Sequence, residues 1–267
     1  MNFLYLVVFL FVGFIGYGQN TIEIFQDRKT ELFYDNLGAT LKRNQLDSIQ
    51  QSPTKIVRIW GGGGIYTWKD TFEFQRLFIN SETQEIQLFK MEAKRPDEIV
   101  TLKEVQALKS KMVIDCPSLE VEWVEHQQYV VKSLGCNREI RSKLVQIYDA
   151  LISDKMDVFI QQLPSGSYYN GMRNLLVNQP IREETQKSNL YKKIEEEFHK
   201  NEIDISNPLQ QPLIYVDNKM IYFEDLNRLK EEDILSSFLL KGVEATAMYG
   251  SIAMYGVIVL KTSSHLN

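Results

Sequence analysis

The sequence predicts an α+β protein: an N-terminal antiparallel sheet with helices, and a small C-terminal β/α domain. Three observations carry that expectation. β-branched and aromatic runs separated by turn residues cluster between Ile56 and Met91. Apolar residues at helical spacing recur elsewhere, around Leu102–Met112, Ile140–Leu151 and Leu190–Phe198. Finally, Val257–Leu260 reads VIVL with no polar position, the mark of a strand covered on both faces.

The chain has 267 residues, of which 44% are hydrophobic and 24% charged, enough to bury a core. Its net charge of −5 argues against a nucleic-acid partner, because phosphate binding needs a basic stripe. The longest basic cluster, Lys192-Lys193, stands beside Glu195-Glu196-Glu197 and reads as a solvated helix face. Phe3–Ile15 is an almost unbroken apolar run followed by Gly16-Tyr17-Gly18, a signal-peptide pattern with cleavage expected after Gly18. The competing reading is a membrane anchor, but the run stops short of the roughly 20 residues a span needs. The mature chain is therefore expected to be periplasmic or extracellular, with no transmembrane segment.

Taken in order, Thr21–Phe25 predicts a short strand, and the stretch to Gln51 is ambiguous between helix and loop. Ile56–Trp60, Thr71–Ile79 and Glu85–Met91 predict strands, the last two joined at Asn80-Ser81-Glu82. Thr101 and Glu104 fit a capping box that opens a helix. LEVEWVEHQQYVV predicts two strands around a turn near His126, and Asn137 caps the next helix. Residues 163–180 are rich in turn formers and read as a linker or loop, and Glu183–Lys200 as a charged helix with one apolar stripe. After Asn207 and Pro208, short strands alternate with helical turns.

Cys116 and Cys136 lie equidistant from His126, so a hairpin centred there sets them face to face at its base. In the oxidising compartment that export implies, this predicts a disulfide; the other reading is two separate small buried residues. The glycines of RIWGGGGIYTW suggest a phosphate loop, but such loops need Lys and Ser or Thr next, and Ile65-Tyr66-Thr67 follows instead. A hairpin turn is the expectation there. The three histidines, His126, His199 and His265, lack partners at metal-ligand spacing, and PSGSYYNG is no nucleophile elbow. No catalytic, cofactor-binding or metal-binding residues are assigned, and no cofactor is expected.

The C-terminal segment carries more information. Pro212, Leu213, Val216, Asp217 and Asn218 end a strand in a turn, and Asp233-Ile234 and Leu240-Lys241-Gly242 follow. Then come Ala245-Thr246-Ala247, Tyr249-Gly250-Ser251, Ala253, Gly256-Val257-Ile258 and Thr262; Ala245 and Ala247 are expected to lay the short helix close on the sheet, so that a larger side chain at 247 would overpack it. In content and order this resembles the second half of the plug domain of TonB-dependent outer-membrane receptors, of the Bacteroidota type. Asn218 stands where that pattern has Gly, Ile252 stands where it has Arg, and the plug's first half is not visible before residue 207. The chain also shows no array of alternating strands of receptor-barrel size.

The expected organisation is thus a signal peptide at 1–18, an α+β domain without a family signature at 19–160, a linker and charged helix at 161–206, and a plug-like domain at 207–267. The resemblance implies an exported envelope protein carrying an orphan plug-like domain. Its expected role is a non-enzymatic binding or accessory module, not itself a transporter, with partners among outer-membrane or other envelope proteins. The alternative is an envelope enzyme with its site in the N-terminal domain or an interdomain cleft. An exposed apolar patch or an unpaired sheet edge would favour the first; converging ionisable groups in a cleft would favour the second.

Overall fold

The computed structural model describes residues 21–25, 27–61, 63–108, 118–170 and 173–263. The leader at 1–18, Cys116, Met112 and His265 lie outside them, and so do the expectations that rest on them. The chain divides into two units, one of residues up to Glu73 with Lys94–Arg141, the other of Phe74–Ala93 with Ser142 onward. These are not the boundaries at 160 and 206 expected from composition. The reason is that strands distant in sequence join each unit.

The first unit opens with β1 (Thr21–Ile24) and α1 (Arg28–Arg43). Asp27 starts α1 by accepting the backbone N–H groups of Lys29 and Thr30 at 3.1 and 3.0 Å. Leu37 and Leu41 then pack on Trp60 and Ile65, which resolves the ambiguous stretch as a helix up to Arg43. β2 (Ile56–Gly61) and β3 (Gly64–Trp68) form the hairpin expected at the glycines. Gly61 has φ +121°, and a Cβ there would lie 2.7 Å from a Leu119 methyl, so the run serves geometry.

The chain then enters the second unit through β4 (Phe72–Asn80), within which the division falls, and β5 (Ile86–Ala93). Asn80 shapes the turn between them by accepting the N–H groups of Glu82 and Thr83. Back in the first unit, Thr101 and Glu104 make the expected capping box of α2 (Leu102–Ala107). β6 (Leu119–Glu125) and β7 (Gln128–Gly135) follow. Their two-residue turn is His126-Gln127, both at positive φ, as a tight right-twisted hairpin requires. Glu125 opposes Gln128, so the hairpin is centred between His126 and Gln127 rather than on His126, and its register shifts again beyond Glu120. That correction changes the register assumed for Cys116 and Cys136, yet Cys136 is disulfide-bonded. The pairing itself lies outside the described residues. Strand order in this unit is β1, β7, β6, β2, β3, with β1 parallel to β7.

α3 (Arg138–Leu151) begins at Asn137, whose side chain accepts the N–H of Ile140, and α4 (Ser153–Ile160) follows. In the second unit, Phe74, Phe78 and Phe89 meet Tyr148 and Phe159 with ring centroids 5.3–6.0 Å apart. The expected linker is instead an antiparallel hairpin, β8 (Gly166–Asn170) and β9 (Arg173–Val177), with β8 pairing β4. α5 (Asn189–Lys200) is the charged helix; Ser188 caps it, and Leu190, Tyr191, Ile194 and Phe198 are its buried stripe.

The last sheet comprises β10 (Leu213–Val216), β11 (Lys219–Ile221), β12 (Ile234–Leu240) and β13 (Val257–Thr262), with α6 (Gly242–Tyr249) between the last two. Its order is β11, β10, β13, β12, so β13 is central, parallel to β10 and antiparallel to β12. Ile258 and Leu260 pack under the stripe of α5 with Ile214, Phe223 and Leu226. Val257 and Val259 pack on the other face with Leu213, Ala245 and Ala253. An all-apolar strand thus has both faces covered, and fully burying each such side chain contributes about 1.5–3 kcal/mol.

Candidate functional site

The plug-like residues gather in this last sheet. Asp217 and Asn218 form the turn after β10, at φ +47° and +70°, and the chain continues as β11, a strand the sequence did not suggest. The Asp217 carboxylate accepts the backbone N–H of Thr262 at 3.0 Å and also the Thr262 hydroxyl, while the Lys261 ammonium reaches Asn218 Oδ1 at 3.1 Å. These bonds lock the end of β13 to the β10 turn; the acid is structural. Pro212 and Gly256 stand at the start of the parallel pair. A Cβ on Gly256, at φ +106°, would meet Ile203 at 3.2 Å and the Leu240 carbonyl at 3.3 Å. Val216 is half-buried at the end of β10, and Tyr249 stacks on Tyr215 with centroids 4.7 Å apart. Gly242 and Gly250 bracket α6, and Lys241 precedes it in extended conformation.

One expectation fails. Ala245 is buried, but Ala247 is exposed, so α6 rests on the sheet through Ala245 and Tyr249 and not through both alanines. A three-residue 3₁₀ turn at Ser251–Ala253 and the buried Ala253 occupy the place expected for Ala247.

Large apolar side chains on α6 and in the segment after it are exposed. Val243 is 84% exposed, Met248 66%, and Ile252 and Met254 59% each. The adjoining strand adds Leu235 and Phe238, both exposed. β12 is paired on one side only, so its outer N–H and C=O groups form an open sheet edge. Six exposed large apolar side chains within twenty residues of sequence, two of them on such an edge, are more than the scattered singles of an ordinary surface.

Two polar constellations compete for attention. In the first unit, Glu122 is fully buried; its carboxylate accepts from Trp60 Nε1 at 2.7 Å, the Tyr129 hydroxyl at 2.8 Å and Arg58 Nη1 at 3.3 Å. Burial and the Glu122 charge push the Tyr129 phenol far above its ordinary range. Apart from Arg58 Nε, which finds no partner, these groups are spent on one another, and the cluster is sealed from solvent. In the second unit, a cavity of about 800 Å³ lies along α5, walled by Ile181, Ile203 and Ile205. Its Lys187 ammonium is held by Glu195 at 2.7 and 2.9 Å and by Glu184 at 2.8 Å. Asp204 accepts the Ser206 N–H at 2.7 Å, which holds its carboxyl below the usual range. The cavity also presents His199, Glu202 and Ser206, but among the described residues no hydrogen bond links His199 to an acid or to that serine. Among the described residues no group of three His, Cys, Asp or Glu could hold a metal ion, and no helix is long and apolar enough to cross a membrane. The glycine loop and His126 at its hairpin turn converge on nothing, whereas His199 lines the α5 cavity with Lys187, Glu195, Asp204 and Ser206.

No family model, curated protein or solved structure matches the chain.

Proposed function

We propose that the protein is an exported envelope protein whose plug-like segment, 207–267, serves as a non-enzymatic binding or accessory module. The observation that carries this reading is the open β12 edge with Leu235 and Phe238 exposed on it, followed in the chain by exposed Val243, Met248, Ile252 and Met254. An extended segment added to β12 would satisfy its outer backbone groups, and the flanking apolar side chains would supply pockets for alternate residues. Covering each side chain would contribute about 1.5–3 kcal/mol. The resemblance to receptor plugs places the partners among outer-membrane or other envelope proteins and the site of action in the periplasm or outside the cell. The Cys116–Cys136 disulfide belongs to the same proposal. Intact mass of the envelope-derived protein beginning at Gln19, with both thiols inert to alkylation before reduction, is the expected outcome; a mass retaining residues 1–18 contradicts cleavage and favours an anchor in the inner membrane. The binding role is tested by capture from native envelopes. Wild-type protein retains a specific partner, and Phe238→Ser or Met248→Ser loses it with an unchanged urea midpoint. Equal capture by both variants and wild type contradicts the reading.

A further inference from the structure

The segments before and after α5 put unpaired charges around an apolar wall. Before the helix, Ile181 donates its backbone N–H to the Tyr191 hydroxyl at 2.8 Å, which ties it to the first turn of α5. After the helix, Ile203 donates its N–H to the Phe198 carbonyl at 3.0 Å. Ile181, Ile203 and Ile205 consequently pack against the buried stripe of α5. With Pro180 they wall the cavity of about 800 Å³, within the size range of small-ligand sites.

Its charges divide into satisfied and unsatisfied ones. Lys187 has three N–H groups, and three carboxylate oxygens of Glu184 and Glu195, at 2.7–2.9 Å, take them all. Arg182, His199 and Glu202 have no side-chain hydrogen bond or ion pair among the described residues, and Asp204 accepts from Ser206 but meets no cation. Arg182 follows Ile181 beside the first turn of α5, whereas Glu202 and Asp204 come after its last turn. Tyr191 and Glu202 are eleven positions apart, so at a rise of about 1.5 Å per residue the two ends are separated by roughly 16 Å.

A guanidinium at one end, two carboxylates at the other and isoleucines between them complement a molecule with a carboxylate, an apolar middle and an ammonium. A single amino acid has both charges but is too short to reach both ends. About four or five extended residues, at roughly 3.5 Å each, span the distance. The His199 imidazole, near the end of the helix, is available to a peptide bond along the way. We infer that this cavity binds short apolar peptides with free termini, holding the carboxylate at Arg182 and the ammonium at Glu202 and Asp204. It shares no residue with the β12 edge, and the inference stands apart from the binding-module reading.

Calorimetric titration of the purified protein with the tetrapeptide Ala-Leu-Leu-Ala tests it. Wild type should bind saturably, with a dissociation constant of roughly 10 μM to 1 mM. Arg182→Gln, and Glu202→Gln combined with Asp204→Asn, should each weaken binding by roughly fivefold. Urea midpoints should stay unchanged, because these side chains are exposed. Amidating the peptide carboxylate should weaken wild-type binding similarly but make no further difference to Arg182→Gln. Acetylating its amine should behave in the same way against the acid variant. Absence of saturable binding, binding that the substitutions leave unchanged, or equal affinity for a peptide blocked at both ends overturns the inference. Affinity for free leucine equal to that for the tetrapeptide overturns it as well, since the span between the charges would then select nothing.

Discussion

The Glu122 cluster of the first unit and the β12 edge of the second treat polar groups in opposite ways. Around Glu122 a carboxylate, a guanidinium, an indole N–H and a phenol are withdrawn from water and matched to one another. Along β12 backbone polar groups and large apolar side chains alike are left toward water. A sealed network specifies packing and gains nothing from a partner. An open edge contributes little to the fold and becomes favourable only when covered. Mutations should therefore separate cleanly into those that change stability and those that change binding.

The largest stability effect is expected at Glu122→Ala, which leaves the nearly buried Arg58 unpaired, at a cost of roughly 3–5 kcal/mol in urea melts. Replacing both Arg58 and Glu122 by Leu should recover only part of that loss: no unmatched charge remains, but the buried Trp60 N–H and Tyr129 hydroxyl lose their acceptor. Partner capture should be unaffected in whatever fraction stays folded. Gly256→Val comes next. Positive φ and the close Leu240 carbonyl make it destabilising by roughly 1–3 kcal/mol, read as a lowered urea midpoint.

A pH series sharpens the stability side. The phenols of Tyr191 and Tyr222 are pushed up to about 12, both chiefly by burial, with Glu82 adding to the shift of Tyr222. In the unfolded chain they titrate at the ordinary value near 10, so between 10 and 12 the unfolded state loses protons that the folded state keeps. Their contribution is present in full below pH 10 and is lost as pH rises toward 12. Thermal melts should show that decline, and Tyr191→Phe should make it shallower. The smallest effect belongs to Ala247→Phe. An overpacked contact was expected from the sequence, but the exposed side chain should leave the midpoint within about 0.5 kcal/mol of wild type.

What the sequence showed and hid follows the same division. Features set by local chemistry were legible: the Thr101–Glu104 box, the stripe of α5, the glycine hairpin and the central VIVL strand. The β8–β9 hairpin was hidden because SGSYYNG is as rich in turn formers as a linker, and its pairing with β4 depends on residues eighty or more positions away. Glu122 was hidden because alternation in LEVEWVE assigns every Glu to solvent. Only the register that sets Arg58 opposite Glu122 reverses that, and the one available hint was an arginine inside the apolar IVRIW. Ala247 misled because two alanines two positions apart in a helix cannot both face the same sheet. The open face was missed for a complementary reason: Val243, Met248 and Ile252 look like core until the fold shows nothing over them.

Amide hydrogen exchange on the protein alone and after binding to a partner captured from native envelopes addresses the central claim most directly. The account predicts rapid exchange of the outward-facing amides of Ser236–Leu239 in the protein alone and clear protection on association, with β6 and β7 around Glu122 unchanged throughout. Unaltered exchange along β12 in the associated state, or protection appearing around Glu122 instead, would contradict it.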